Sequence, residues 1–230
     1  MPFLLTFDQM KKSMITRTAT IIGGTGLIGS QLWELLKNDS YYDTIRLLVR
    51  RPFIHNDPKT EVKLVDFSDR ESLCLGIYNS HAVFCAIGTT MKKVGGDKEA
   101  YRKIDYDIAV HAAQCCEETG CSKYLLVSSV GASTKSKNFY LNLKGEIEEK
   151  ISTYNIPSIC IFRPSMLLGS RNESRIGERI GQIGMQALSA LIPSKYKPIK
   201  AEDVAKSMIA NSKKSTDAIT IYEYREMQNL

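Results

Sequence analysis

The stretch Thr20-Ile21-Ile22-Gly23-Gly24-Thr25-Gly26-Leu27-Ile28-Gly29-Ser30-Gln31-Leu32 constrains this chain more than any other. A β-branched apolar run ends at a glycine cluster. Apolar residues at helical spacing, Leu27, Leu32, Leu35 and Leu36, follow at once. The pattern predicts a strand, a tight turn and a helix, the opening of a βαβ unit. Glycines at 23, 26 and 29 suit such a turn in three ways. They permit the reversal, let backbone N–H groups approach a pyrophosphate, and let the helix lie close on the strand. A phosphate placed there would meet unpaired N–H groups at the positive end of the helix.

Downstream, strand-like and helix-like segments alternate. Strands are expected from Thr44 to Arg51, stopped by Pro52, from Glu61 to Phe67 and from His81 to Ile87. Further strands are expected from Lys123 to Ser129, from Ser158 to Phe162 and from Ala218 to Tyr222. Helices are expected from Ser68 to Leu75 with Ser68 as cap, from Ile104 to Glu118 ended by Gly120, and from Phe139 to Ser152. Such alternation, without repeats or low-complexity linkers, predicts a doubly wound parallel sheet covered on both faces, a three-layer α/β/α Rossmann fold. Residues 1–16 read as a short surface extension, with Met14 as an alternative start. Residues 17–230 read as one domain with a small C-terminal substrate region at about 165–200.

Composition narrows the classes. At 230 residues and 43% hydrophobic, the chain has enough apolar material for one substantial core. Its net charge of +6 is spread among interleaved acids, so no nucleic-acid arm is expected. No apolar run approaches the roughly 20 residues of a membrane span, and no secretory signal is legible. None of the six cysteines (Cys74, Cys85, Cys115, Cys116, Cys121, Cys160) forms a CxxC, so reduced, packed thiols and a cytoplasmic location are expected. His55, His81 and His111 have no second ligand at metal spacing, so no metal is expected. The absence of a G-x-S-x-G elbow argues against a serine hydrolase. A small-molecule substrate and a monomer or homodimer are the expected partners.

In this architecture the strand ends carry the chemistry. Where an acid would meet the ribose hydroxyl of NAD, the second strand offers Arg50 and Arg51, which suit a 2′-phosphate and favour NADP(H) over NAD(H). Asp66 reads either as an acceptor for an adenine amino group or as a turn aspartate before Ser68. Ala86-Ile87-Gly88 reads either as small backbone that a nucleotide can approach or as a plain turn. Tyr140 and Lys144, four residues apart, share a helix face. An ammonium beside a phenol favours the phenolate form, which suits a proton donor to a developing alkoxide. Ser128-Ser129, at the preceding strand end, supplies a hydroxyl that can orient a carbonyl.

The segments GGTGLIG, CAIGTT, YRKIDYD, LVSSVGA, YLNLKGEIEEK and FRPSMLLGSRNESR, in this order, resemble the short-chain dehydrogenase/reductase superfamily. More narrowly, the chain resembles its atypical, epimerase-like branch, which includes the Tat-interacting oxidoreductase-like proteins. The resemblance covers about Thr18 to Ala210. It implies that Gly23, Thr25, Gly26, Leu27, Ile28 and Gly29 form the cofactor turn, that Arg50 and Arg51 hold the 2′-phosphate, and that Asp66 and Phe67 edge the adenine. Ala86, Ile87 and Gly88 would pass the adenosine ribose and pyrophosphate, and Arg163, Pro164, Ser165 and Met166 the nicotinamide. Ser129, rather than Ser128, would polarise the substrate, Tyr140 would be the acid/base and Lys144 would bind the nicotinamide ribose. Asp105 stands where many relatives carry asparagine, and Ser165 where many carry glycine.

The function expected on these grounds is an NADP(H)-dependent oxidoreductase acting on a carbonyl or alcohol. An NADPH-binding sensor with little turnover is the second reading. A nucleotide-sugar epimerase or dehydratase is the third, weakened by the short segment after Arg163.

Overall fold

The computed structural model describes residues 16–168, 193–214 and 219–229. Its elements are β1 (Thr18–Ile22), α1 (Leu27–Lys37), β2 (Thr44–Val49), β3 (Thr60–Leu64), α2 (Arg70–Ile77) and β4 (Ala82–Cys85). There follow α3 (Lys98–Arg102), a π turn (Lys103–Asp107), α4 (Ile108–Thr119), β5 (Lys123–Val127), α5 (Phe139–Ile151) and β6 (Ser158–Phe162). The last are β7 (Leu167–Leu168), a 3-10 turn (Ser194–Tyr196), β8 (Ile199–Lys200), α6 (Ala201–Ser212), β9 (Ile219–Tyr222) and α7 (Tyr224–Gln228).

Seven strands form one sheet in the order β3-β2-β1-β4-β5-β6-β9, and every pairing in it is parallel. The expected doubly wound Rossmann architecture is what forms. Strand side chains alternate between two apolar layers, as the period of two requires. Ile22, Leu48, Val83, Leu126 and Ile161 pack with α2, α4 and α5 on one face. Ile21, Leu47, Phe84, Leu125 and Phe162 pack with α1 and α6 on the other. A separate two-stranded ribbon pairs β7 with β8.

Several boundaries differ from the sequence expectation. Several strands are shorter than expected: β2 ends at Val49, β3 at Leu64, β4 at Cys85 and β5 at Val127. Helix α2 begins at Arg70 with Asp69 as its cap, accepting from the N–H groups of Glu71 and Ser72, rather than at Ser68. The helix expected from Ile104 begins earlier, at Lys98, capped by Asp97, and passes through the π turn. Cys74 on α2 and Cys115 on α4 form a disulfide, which corrects the expectation of six reduced thiols. The other four cysteines are free and buried. The N-terminal extension up to residue 15, and residues 169–192 of the expected substrate region, lie outside the described residues.

The junction of β1, β4 and α1 sets the position of everything at the sheet's upper edge. Gly23 has φ +85°, and a Cβ there would lie 2.6 Å from the Ala86 carbonyl oxygen. A Cβ on Gly29 would lie 2.1 Å from the Gly23 carbonyl oxygen. Helix α1 therefore touches the strand backbone directly. Replacing Gly29 by Ala should force the helix off the strand at about 1–3 kcal/mol, lowering Tm by about 2–4 °C per kcal/mol. Calorimetric unfolding of Gly29→Ala at the wild-type temperature would contradict this packing.

Candidate active site

In the sheet order, the crossovers from β1 and β4 leave in opposite directions, which opens a crevice between their carboxyl ends. A cleft of about 540 Å³ lies there. Its walls include Gly23, Thr25, Gly26, Leu27 and Ile28 from the turn into α1, and Ala86, Ile87 and Gly88 after β4. Ser128 and Ser129 after β5, Tyr140 and Lys144 on α5, and Pro164 and Ser165 after β6 complete it. Helix α1 starts at Gly26 with no side-chain cap and no acidic residue in its first turn. Its unpaired N–H groups and positive dipole end are thus left without a protein counter-charge.

A second cavity of about 720 Å³ continues the first, sharing Arg50, Phe67, Ile104 and Ile108 with it. Asp66 borders only this extension. Its carboxylate accepts from the Ser68 hydroxyl at 2.6 Å and the Ser68 N–H at 2.9 Å. Those bonds, the hydroxyl's foremost, hold its pKa below the ordinary aspartate value. Asp66 thus makes the Asx turn that was one of its two sequence readings.

The acid/base candidates sit on α5, whose first turn is capped by the Asn138 side chain accepting from Leu141 N–H. Tyr140 is 38% exposed at the cleft. Lys144, one turn on, is buried, with a side chain only 5% exposed. Its Nζ lies 3.3 Å from Oδ1 of Asp105, itself 1% exposed, and 5.9 Å from the centre of the Tyr140 ring. Burial opposes the lysine charge, but the Asp105 carboxylate, aided by Tyr140, outweighs it and raises the pKa above the ordinary lysine value. The other Asp105 oxygen accepts from Thr89 N–H at 2.8 Å. Tyr101 donates to the Thr89 carbonyl at 3.4 Å. Asp105 therefore ties the loop after β4 to the lysine. Sequence reasoning missed this pair, because only the fold brings the two residues together across the chain.

The two serines have different surroundings. The Ser128 hydroxyl donates to buried Glu148, which also holds Arg163. Ser129 makes only a long 3.3 Å bond to the Val130 carbonyl and faces the same cleft as Tyr140. Arg163 points into its ion pair, with Nε 3.0 Å from Glu148 Oε1, and does not line the cleft. Met166 is 44% exposed and does not line it either. Ser165 lines it while donating to the Lys197 carbonyl. Arg51 borders neither cavity, and Gly29 acts through packing alone. Thr89, Lys93, Ile104, Val127 and Leu167 also line the cleft; all but Lys93 fall in the segments quoted above, yet none was given a role there. Among the described residues no group of three His, Cys, Asp or Glu side chains is placed to hold a metal ion.

The geometry fits a dinucleotide. Side-chain-free backbone meets at the end of β1, the helix end beside it lacks a counter-charge, and a trough leads from there past Arg50. Comparison with known proteins agrees. The sequence profile of an NAD(P)H-binding family matches residues 23–211. The chain belongs to this NAD(P)H-binding family. Among similar relatives is Protein FMP52, mitochondrial, of Candida albicans, 36% identical over 196 residues, which span 82% of this chain and 85% of that protein. Protein HTATIP2 of Rattus norvegicus is 31% identical over 170 residues, 72% of this chain and 69% of that protein. The resemblance to the Tat-interacting branch therefore holds. Among solved structures, MoeE5 in complex with UDP-glucuronic acid and NAD superposes with a TM-score of 0.70 at 14% identity, covering 90% of this chain and 76% of that one. The Bordetella bronchiseptica enzyme WbmH in complex with NAD+ gives 0.69 at 15% identity, covering 91% and 75%. At such identities these two speak for the fold alone. No helix among the described residues is long and apolar enough to cross a membrane.

The buried pair has a pH signature. Because the pKa of Lys144 is raised in the folded state, its contribution to stability is complete below the ordinary lysine value and lost as pH rises through the elevated one. Asp105→Asn leaves a buried charge without its partner. It should cost about 3–5 kcal/mol and move the alkaline loss of stability to lower pH. Urea unfolding across the neutral-to-alkaline range checks this. An unchanged midpoint and unchanged pH profile would count against the pairing.

Proposed function

We propose that this chain is an NADP(H)-dependent oxidoreductase that interconverts a small carbonyl compound and its alcohol at a Ser129–Tyr140–Lys144 site. The observation that carries this reading is the convergence of the three side chains on the cleft that the glycine turn also lines. Gly23, Thr25, Gly26, Leu27 and Ile28 would hold the pyrophosphate, Arg50 the 2′-phosphate, and Phe67 and Asp66 the adenine side. Ala86, Ile87 and Gly88 would flank the adenosine ribose, and Pro164 and Ser165 the nicotinamide. When bound, NADP(H) supplies or accepts the hydride.

The protein's own part is at the substrate oxygen. Ser129 donates a hydrogen bond that orients the carbonyl, and Tyr140 Oη gives the proton that this oxygen takes up on reduction. The reverse direction returns that proton to Tyr140. Lys144, kept cationic by Asp105, stabilises the negative charge left on the tyrosine oxygen and would bind the nicotinamide ribose. The low-dielectric surroundings strengthen this effect, since the ammonium is shielded from water. For the compartment, the designation of the FMP52 relatives favours mitochondria over the cytoplasmic location expected from the sequence.

Tyr140→Phe should lower turnover by about 10²- to 10⁴-fold while leaving the NADPH dissociation constant within a factor of about two. Undiminished turnover would remove Tyr140 from the chemistry. In a thermal-shift comparison, NADPH at 100 times its dissociation constant should add roughly 2.7 kcal/mol, and the same concentration of NADH less. Stabilisation without turnover on any carbonyl tested would move the protein to the sensor reading.

A further inference from the structure

The Cys74–Cys115 disulfide crosses the seam between α2 and α4 and holds the two Cα atoms 4.9 Å apart. The cavity beyond Phe67 lies along the same seam. Asp66, Phe67 and Ser68 border it on one side, and this segment is fastened to α2, since the Asp66 N–H donates to Ser72 Oγ at 3.1 Å. The π turn and the start of α4, as far as His111, border it on the other. Cys115 lies one helical turn beyond His111 on the same face of α4. The disulfide thus ties the two walls together one turn from the cavity's edge. Another link across the seam, Arg70 to Glu118, is an exposed ion pair and adds little.

Cys74 is the only one of the six cysteines that is not buried, so a reductant reaches the bridge from its side. Each sulfur also has a neighbour suited to its reduced form. Glu118 Oε2 lies 3.7 Å from Cys74 Sγ, and the Arg70 carbonyl oxygen 3.7 Å from Cys115 Sγ, so both thiol protons have acceptors. Arg70 Nη1, 3.8 Å from Cys74 Sγ, favours a thiolate there.

We propose that Cys74–Cys115 is a reversible thiol–disulfide exchange site for a dithiol reductant, and that opening it weakens NADP(H) binding by loosening the adenine cavity. Of the reading above, this rests only on the adenine's place in that cavity. One thiolate of the reductant attacks Cys74 Sγ, the S–S bond breaks, and Cys115 leaves as a thiolate that takes up a proton. The second thiolate of the reductant then attacks the reductant's own sulfur in the mixed disulfide. Cys74 is released and protonated in turn. The protein gains two electrons and two protons, and the reductant becomes a disulfide. Two thiols in van der Waals contact need more room than one bond, so the walls part. Apolar packing of Leu73 and Ile77 keeps the helices together in both states. Reduction and cofactor binding are then linked, and each changes the other by the same factor.

The test is calorimetric titration of the full chain with NADPH and AMP, after equilibration with oxidised or with reduced dithiothreitol. Acid-quenched samples, alkylated under denaturing conditions, report the state of Cys74 and Cys115 by mass. The reduced form should bind both nucleotides at least about 5-fold more weakly. Saturating NADPH should raise, by that same factor, the dithiol-to-disulfide ratio needed for half reduction. The double variant Cys74→Ser/Cys115→Ser should bind as reduced wild type does, whatever the reductant. A bridge that dithiothreitol leaves intact in the folded protein overturns the exchange, as do thiols that stay unpaired under oxidised dithiothreitol. Equal or tighter binding by the reduced form overturns the coupling, as does a double variant that still responds to dithiothreitol. Weakened NADPH with unchanged AMP also overturns it, since the adenine cavity would not be what loosened. If neither form binds AMP or NADPH while the exchange is intact, the adenine reading itself fails, and the coupling with it.

Discussion

The backbone-to-backbone contact at Gly23, where α1 closes on its carbonyl and the end of β4 closes on its Cα, is what the upper edge of the molecule depends on. With no side chain at Gly23 or Gly29, the helix axis lies against the strand end and its N–H groups face the crevice. Burial does the rest. The two apolar layers fix the sheet from both faces, so residues leaving β1, β4, β5 and β6 arrive at one rim in fixed order. The rim is polar because the strands end there, and it is concave because the crossovers part there.

A second organising element is the buried ion pair of Lys144 and Asp105. Desolvation alone would drive the lysine toward neutrality, and the carboxylate reverses that. The same carboxylate accepts the Thr89 N–H, so the electrostatics of the proposed acid/base group and the position of the loop after β4 are set by one residue. One turn further along the same face of α5, Glu148 does comparable work for the β5 and β6 ends. It accepts the Ser128 hydroxyl and pairs with Arg163, which leaves Ser129 as the cleft serine whose hydroxyl is not held by a buried carboxylate.

What was legible in the sequence is what local chemistry determines. The glycine turn, the alternation of strands and helices, and the i, i+4 spacing of Tyr140 and Lys144 each sit within a few residues, and each formed as expected. Contacts made by topology were not legible. The Cys74–Cys115 disulfide needs α2 packed on α4, and the Asp105–Lys144 pair needs α5 beside the π turn. Arg163 sits in a motif that placed it beside the nicotinamide, yet a buried glutamate fifteen residues earlier claims its guanidinium. Caps were misjudged by one residue where two candidates adjoin, as Ser68 and Asp69 do. The π turn left no pattern at all, because one extra residue in a short polar segment does not disturb the apolar period enough to be seen.

That extra residue carries weight out of proportion to its size. Lys98 to Thr119 runs as one helical column, interrupted only where five residues take the wider winding. The column therefore works as a spacer of fixed phase, and losing a single residue from it would rotate Asp105 and its neighbours by about 100°. The length of this short segment thus sets the direction in which Asp105 meets Lys144, which composition alone does not reveal.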